Sequence, residues 1–333
     1  MMRMGIMSAA HVHTASYAAS LKAAPGVTLL GLADDDAARG RAFAAAHGTR
    51  FYDSYAALLA DKPHGVVICS ENTRHREMAE MAAQAGAHVI CEKPLATTLA
   101  DGRAMIQACR DAGVNLMTAF PMRFHPAAVA VKASLDRGEM GAIRCCNCTN
   151  QGRNPDNLRP WFTQKALSGG GAAIDHIVHV ADLLRWYMGA EVVEVYAEID
   201  NLFYKGEIDV DSAGLVMMTF DNGVFASLDC SWSRPRFYPI WGNVKIDLIC
   251  ARGLLRTEYF IQNLKVYRGD TKQLELQSWA SNADQVMVDE FVASIREGRA
   301  PAVTGEDGLE AAEVTLAAYR SAETHQPVRL PLA

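Results

Sequence analysis

The sequence predicts an α/β chain in two parts: a doubly wound parallel sheet first, then a second α/β domain on a mostly antiparallel sheet. Three observations carry that prediction. Over the first 120 residues, short apolar runs alternate with helix-length segments. Beyond Glu191 the apolar runs follow one another through hairpin-type turns. At 333 residues the chain also exceeds the roughly 100–200 residues of one domain.

The elements read in order. "RMGIM" and "VTLLGLAD" are strand-like, with a helix around Tyr17–Ala23 between them. "AARGRAFAAAHG" is an Ala-rich helix ending on Gly48, as a C-terminal cap does. "SYAALLAD", "HGVVICS", "HREMAEMAAQAG", "AHVICEK", "LADGRAMIQACRDAG" and "VNLMTAF" continue the alternation. Such a series gives right-handed βαβ units and a sheet covered on both faces, whose ligands bind at the carboxyl ends of the strands.

After Phe120, "HPAAVAVKASLDRG" reads as a helix and "AIRCCNCTN" as a strand. The loop "QGRNPDNLRPWF" leads to the glycine turn and amphipathic helix of "SGGGAAIDHIVHVADLLRWYMG". Six alternating runs then lie between Glu191 and Ser278, with Asn222-Gly223 and Arg252-Gly253 as turns. Helices near Asp284–Glu297 and Glu306–His325 close the chain. The expected domains are residues 1–120 and 121–333, with a C-terminal helix able to pack back toward the first domain.

Composition narrows the function. The net charge of −6 is spread along the chain, and no basic run suggests nucleic acid or an anionic membrane. No apolar stretch approaches the roughly 20 residues of a bilayer span. The short N-terminus carries Arg3 and runs into the first strand, which predicts no signal peptide and a cytoplasmic protein. Most of the eight cysteines sit alone in apolar runs, as buried free thiols do. Cys145, Cys146 and Cys148 lie on a strand pattern with no second Cys/His pair at zinc spacing, so no metal is expected there.

Three features can carry chemistry. Glu92-Lys93-Pro94 follows a strand, placing Lys93 at its carboxyl end, where partial desolvation suits a lysine to proton transfer. Asp175 and His179 share one face near the start of a helix, where a carboxylate one turn before a histidine can hold its tautomer. His176 and Asp182 fall on other azimuths. Asp34 ends the second strand, 21 residues after His13, an offset at which an acid accepts from an adenosine ribose and favours NAD over NADP. Asp35 and Asp36 add to the repulsion of a 2′-phosphate, and one of the three acids is expected to cap the next helix.

With these residues together the chain resembles the glucose–fructose oxidoreductase/inositol dehydrogenase (Gfo/Idh/MocA) family over almost its whole length. Glu92-Lys93-Pro94 matches the family's Glu-Lys-Pro signature, and "GGGAAIDHIVHVADLLRW" its glycine run with Asp-x-x-x-His. "PAVTGEDGLEAAEVTLAAYRSAE" is similar to its C-terminal helix. The resemblance implies an N-terminal Rossmann domain and a C-terminal domain whose large open sheet joins copies into a homodimer or homotetramer. It implies Lys93, Asp175 and His179 as the catalytic group: His179 takes the hydroxyl proton of a secondary alcohol, Lys93 hydrogen-bonds the reacting oxygen, and Asp175 orients the site. In reduction these proton roles reverse. The substrate class implied is a sugar, sugar derivative or cyclitol, and the cofactor NAD rather than NADP. A redox-assisted glycoside-cleaving enzyme with retained NAD is the alternative, and a non-catalytic NAD(P)-sensing protein a third reading.

"SENTRH" stands where the family has Thr-Pro-Asn-x-x-His, so Ser70, Asn72 and His75 match in kind while Glu71 replaces proline. With Glu92 and Lys93 they are assigned to the cofactor. Arg123 matches an arginine at the entry to the second domain, and with Arg153, Asn154 and Trp161 it makes the substrate candidates.

The first βα turn, "SAAHVH", has no glycine of the G-x-G-x-x-G pattern. Ser8, Ala10 and His13 fall where the glycines would be, and Ser8, Ala10, His11 and Val12 are assigned to the cofactor. The small residues suffice provided neither position needs φ > 0. His11-x-His13 offers two metal ligands with no third in view, as does Asp175–His179, so no metal is expected.

Overall fold

The structure is a computed structural model that describes residues 1–261, 263–268, 272–278 and 282–332. By packing, the chain forms two compact units, each assembled from separate stretches. Unit one comprises Met1–Pro121, Pro155–Gly169 and Asp284–Ala312; unit two comprises Met122–Asn154, Gly170–Ala283 and Glu313–Ala333.

Unit one alternates β1 (Met2–Met7), α1 (Thr14–Ala23), β2 (Val27–Ala33), α2 (Ala37–Ala46), β3 (Phe51–Tyr52), α3 (Tyr55–Ala60), β4 (Gly65–Ile68), α4 (His75–Gln84), β5 (His88–Cys91), α5 (Leu99–Asp111) and β6 (Leu116–Thr118). The six strands are parallel, in the order β3-β2-β1-β4-β5-β6. Strand order reverses between β1 and β4, the point at which a doubly wound sheet opens its ligand crevice. Three of these helices start on side-chain caps the sequence supplies: Asp36 for α2, Ser54 for α3 and Thr98 for α5. Their apolar faces close on the sheet through Leu58, Met78, Ala82, Met105 and Cys109.

Unit two contains α6 (Pro126–Asp136) and β7 (Ile143–Arg153). The chain then supplies α7 (Lys165–Ser168) to unit one. Next come α8 (Ala172–Met188), β8 (Val192–Asp200), β9 (Ala213–Phe220), β10 (Phe225–Arg234), β11 (Val244–Cys250), β12 (Gly253–Glu258) and the hairpin β13 (Asn263–Arg268) and β14 (Gln273–Ser278). Then α9 (Ala283–Glu297), α10 (Gly305–Thr324) and β15 (Val328–Arg329) end the chain.

The seven strands of the larger sheet run β12-β11-β7-β10-β9-β8-β15, antiparallel except for the β7–β10 pair. Period-2 alternation divides its faces. Cys146, Cys148, Val216, Met218, Ala226, Leu228, Ile246 and Leu248 are buried in one core with Ile177, Val180, Ala181 and Leu184 of α8. Each large aliphatic group so buried is worth roughly 1.5–3 kcal/mol. Leu215, Met217 and Phe225 stay exposed. All eight cysteines are free thiols. Among the described residues, no helix is long and apolar enough to cross a membrane.

Candidate active site

Within unit one, β1 delivers the chain into "SAAHVH" at the carboxyl edge of the sheet. Ser8 has φ +73°, so the first position of the turn does require the left-handed conformation. The proviso that small residues suffice without positive φ therefore fails at Ser8. Its hydroxyl makes a local bond that helps it bear the strain, accepting from Ala10 N–H at 3.2 Å. Ala10 and Val12 pack beside Trp161 and Phe162. The Ala10 carbonyl accepts from Trp161 Nε1 at 3.0 Å and from Arg159 Nε at 2.9 Å. The loop around Trp161 thus braces the turn from within the same unit.

Asp34, buried at the end of β2, accepts from Ala9 N–H at 2.8 Å, which ties the acid to the turn. The cap of α2 is Asp36, so Asp34 is not spent on that task. Instead Arg39 clamps it with both arms, at 2.8 and 2.6 Å. Glu71 lies 3.4 Å from Arg39 and 3.8 Å from Arg74, and Arg74 also pairs with Asp35. The acid in the proline position is thus one member of an ion-pair network of alternating sign. Neither arginine was singled out in the sequence, because pairing across three loops leaves no spacing signal.

Asn72 and His75 hold loops. Asn72 Nδ2 donates to the Ser168 carbonyl at 2.9 Å, and Ser70 Oγ donates to the Glu71 carbonyl. His75 is fully buried with Nδ1 3.0 Å from the Pro94 carbonyl, an acceptor that fixes the proton on Nδ1. Burial lowers its pKa, keeping the ring neutral beneath the loop that carries Lys93. Lys93 itself is only 5% exposed, at the end of β5.

Glu92 is the most enclosed acid of the group, at 0% exposure. Burial alone would raise its pKa, but His11, His13 and Lys93 hold it well below the usual carboxylate range. Its Oε1 accepts from Tyr17 O–H at 2.6 Å and lies 2.9 Å from His13 Nδ1 and 3.3 Å from His11 Nδ1. For His13, burial lowers the pKa and the Glu92 carboxylate more than restores it, so the net shift is upward. The expectation that His11 and His13 lack a third ligand is overturned: Glu92, 79 residues after His13, stands beside both. Tyr17 was legible in principle, one helical turn beyond His13.

Within unit two, the start of α8 carries Asp175 and His179. No side chain of its own caps the helix; Asp211 does so from a distant loop. Its carboxylate accepts from Gly171 N–H at 2.8 Å, Ala173 N–H at 2.7 Å and Tyr319 O–H at 2.7 Å. This packing explains the glycines. A Cβ on Gly171 would stand 1.8 Å from the Asp211 carbonyl oxygen, and one on Gly170 2.1 Å from the Tyr319 hydroxyl.

Asp175 is buried, its Oδ2 3.4 Å from Trp232 Nε1 and 3.2 Å from His176 Nε2. His176, placed on another azimuth by the sequence, is therefore a neighbour of this carboxylate, while His179 is partly exposed one turn on. Arg123 donates both arms to Asp182, at 2.8 and 2.5 Å, in a buried pair. Arg153 donates to the Arg236 carbonyl, and Asn154 is buried beside it in the chain. The structure thus gathers Ser8, Ala10, His11, Val12, Asp34, Ser70, Asn72, His75, Glu92, Lys93 and Trp161 into unit one. It gathers Arg123, Arg153, Asn154, Asp175 and His179 into unit two.

A parallel sheet with this strand order, a turn at its switch point and an acid closing β2 define a dinucleotide-binding fold. Comparison with known proteins agrees. Residues 3–120 match the oxidoreductase family with an NAD-binding Rossmann fold, and residues 128–256 match the GFO/IDH/MocA C-terminal domain. The D-apiose dehydrogenase of Paraburkholderia graminis is 30% identical over 92% of this chain and 84% of its own. The myo-inositol 2-dehydrogenase of Thermotoga maritima is 29% identical over 80% and 79%. Among solved structures, GenD2 from gentamicin A biosynthesis in complex with NAD superposes with a TM-score of 0.88 at 24% identity, covering 99% of this chain and 97% of that one. The chain belongs to the Gfo/Idh/MocA family of oxidoreductases, and its first unit is the NAD-binding domain.

Proposed function

We propose that the protein interconverts a secondary alcohol and a ketone on a sugar, sugar derivative or cyclitol, with NAD. The observation that carries this is Lys93: a lysine buried at the carboxyl end of a strand in an NAD-binding sheet, a place lysines seldom occupy without a task. Named relatives acting on D-apiose and myo-inositol support the substrate class.

The residues divide the work. NAD, when bound, accepts or returns the hydride. The turn of Ser8, Ala10, His11 and Val12 takes the pyrophosphate, and Asp34 the adenosine ribose, with Arg39 as its counter-ion. Ser70, Asn72, His75 and Glu92 complete the cofactor side, the last three acting largely by fixing loops and the Lys93 backbone. His179 takes the hydroxyl proton in oxidation, Lys93 Nζ hydrogen-bonds the reacting oxygen, and Asp175 orients the group. Arg123 reaches Asp182 and Trp161 reaches Ala10, so direct substrate contact is assigned to Arg153 and Asn154.

A thermal-shift and absorbance screen with NAD and NADP against polyols and sugars tests the reading. NAD-dependent formation of NADH with one of these compounds is the expected result; preference for NADP overturns the role given to Asp34. We also propose a homodimer or homotetramer through the open sheet, where Leu215 is 65% and Phe225 50% exposed. Light scattering on the native chain and on Leu215→Asp tests it, and a native monomer refutes it.

A further inference from the structure

We propose that His11, His13 and Glu92 form a binding site for a first-row divalent transition ion of the zinc or ferrous class. One ligand atom from each lies within 4.8 Å of the others. Glu92 Oε1 is 2.9 Å from His13 Nδ1 and 3.3 Å from His11 Nδ1. Ligands held about 2.0–2.1 Å from an ion stand roughly 2.9 Å apart in octahedral and roughly 3.4 Å apart in tetrahedral geometry. Both separations are therefore edges of an ordinary coordination shell. Two imidazole nitrogens and one carboxylate oxygen suit zinc or iron; magnesium and calcium call for oxygen ligands.

The supporting groups of a built site are present. Tyr17 O–H and Lys93 N–H each fix one oxygen of Glu92, at 2.6 and 3.0 Å. The rings of Phe162 and Trp161 pack against His11. His13 is 35% exposed, which leaves a side for entry and for an exchangeable ligand. Lys93 and the positive end of α1 oppose a cation, while Asp284 joins Glu92 in attracting it.

The test uses the full chain, stripped with a chelator and titrated with Zn²⁺ by calorimetry and with Co²⁺ by visible absorption. One ion per chain is expected, with His13→Ala and Glu92→Gln each weakening binding by about 100-fold or more. X-ray absorption of the unaltered chain loaded with Zn²⁺ gives an answer that needs no variant, and two imidazoles in the shell are expected. Binding below one ion per chain, affinity unmoved by both folded variants, or a shell without two imidazoles overturns the proposal.

Discussion

Removing the carboxylate of Asp211 isolates what holds the start of α8 in place. In Asp211→Ala, the amides of Gly171 and Ala173 lose acceptors at 2.8 and 2.7 Å, and Tyr319 O–H loses one at 2.7 Å. The Ala172 amide keeps the backbone carbonyl of residue 211 at 3.1 Å. Hydrogen bonds to a charged group are worth about 1.5–3 kcal/mol each. Asp211 is partly exposed, so water replaces some of the loss and the low end applies. Two amide bonds then give about 3 kcal/mol, to which the helix dipole adds about 0.3–1 kcal/mol. Asp211→Asn keeps one acceptor and should lose about half as much. Urea unfolding followed by circular dichroism and tryptophan fluorescence, with both probes required to coincide, measures the difference. Because Asp175 lies in the first turn of α8, kcat/KM should fall with stability. A loss below about 1 kcal/mol in Asp211→Ala would refute the capping argument.

Other expectations follow from the same geometry. Ser8→Gly relieves left-handed strain of about 1–2 kcal/mol but adds chain entropy and loses the bond to Ala10, so it should be near neutral. Ser8→Ala keeps the strain and loses the bond, and should be the less stable of the two in thermal melts. Arg123→Met should cost about 3–5 kcal/mol by stranding Asp182 in the core, and the double variant Arg123→Met/Asp182→Leu should recover most of that; no recovery would mean that the pair is not the cause. Asp34→Ala frees Arg39 and should move the NAD/NADP preference toward NADP by about tenfold or more, read from kcat/KM with each cofactor. Burial would raise the Asp35 pKa, but hydrogen bonding with Arg74 and Asp34 outweighs it and lowers the value to about 2. Its contribution is therefore present above about pH 5 and lost as pH falls through about 2, so the Tm gap to Asp35→Asn should close over that range.

The fold was legible because its signals are local. Alternation of apolar runs with helix-length segments gave the parallel sheet, and period 2 beyond Glu191 gave the antiparallel one. Lys93 and Asp34 were legible because each lies within two residues of the end of a strand. What escaped depends on long-range packing. Glu92 joins His11 and His13 only because β1 and β5 end at the same edge of one sheet, and Asp211 with Tyr319 caps a helix remote in the chain. The two-residue β15 carries too few side chains for any periodicity. Segments 155–169 and 284–312 pack with unit one although the composition of the chain marks no boundary there.

The central claim is that NAD-dependent chemistry in this protein runs through Lys93 and His179. The most direct measurement is single-turnover NADH formation with the best sugar or cyclitol for the native chain, Lys93→Met and His179→Ala, with NAD affinity measured alongside. The account predicts rates lower by about 100-fold or more in both variants with NAD still bound. Near-native turnover in either one would contradict it.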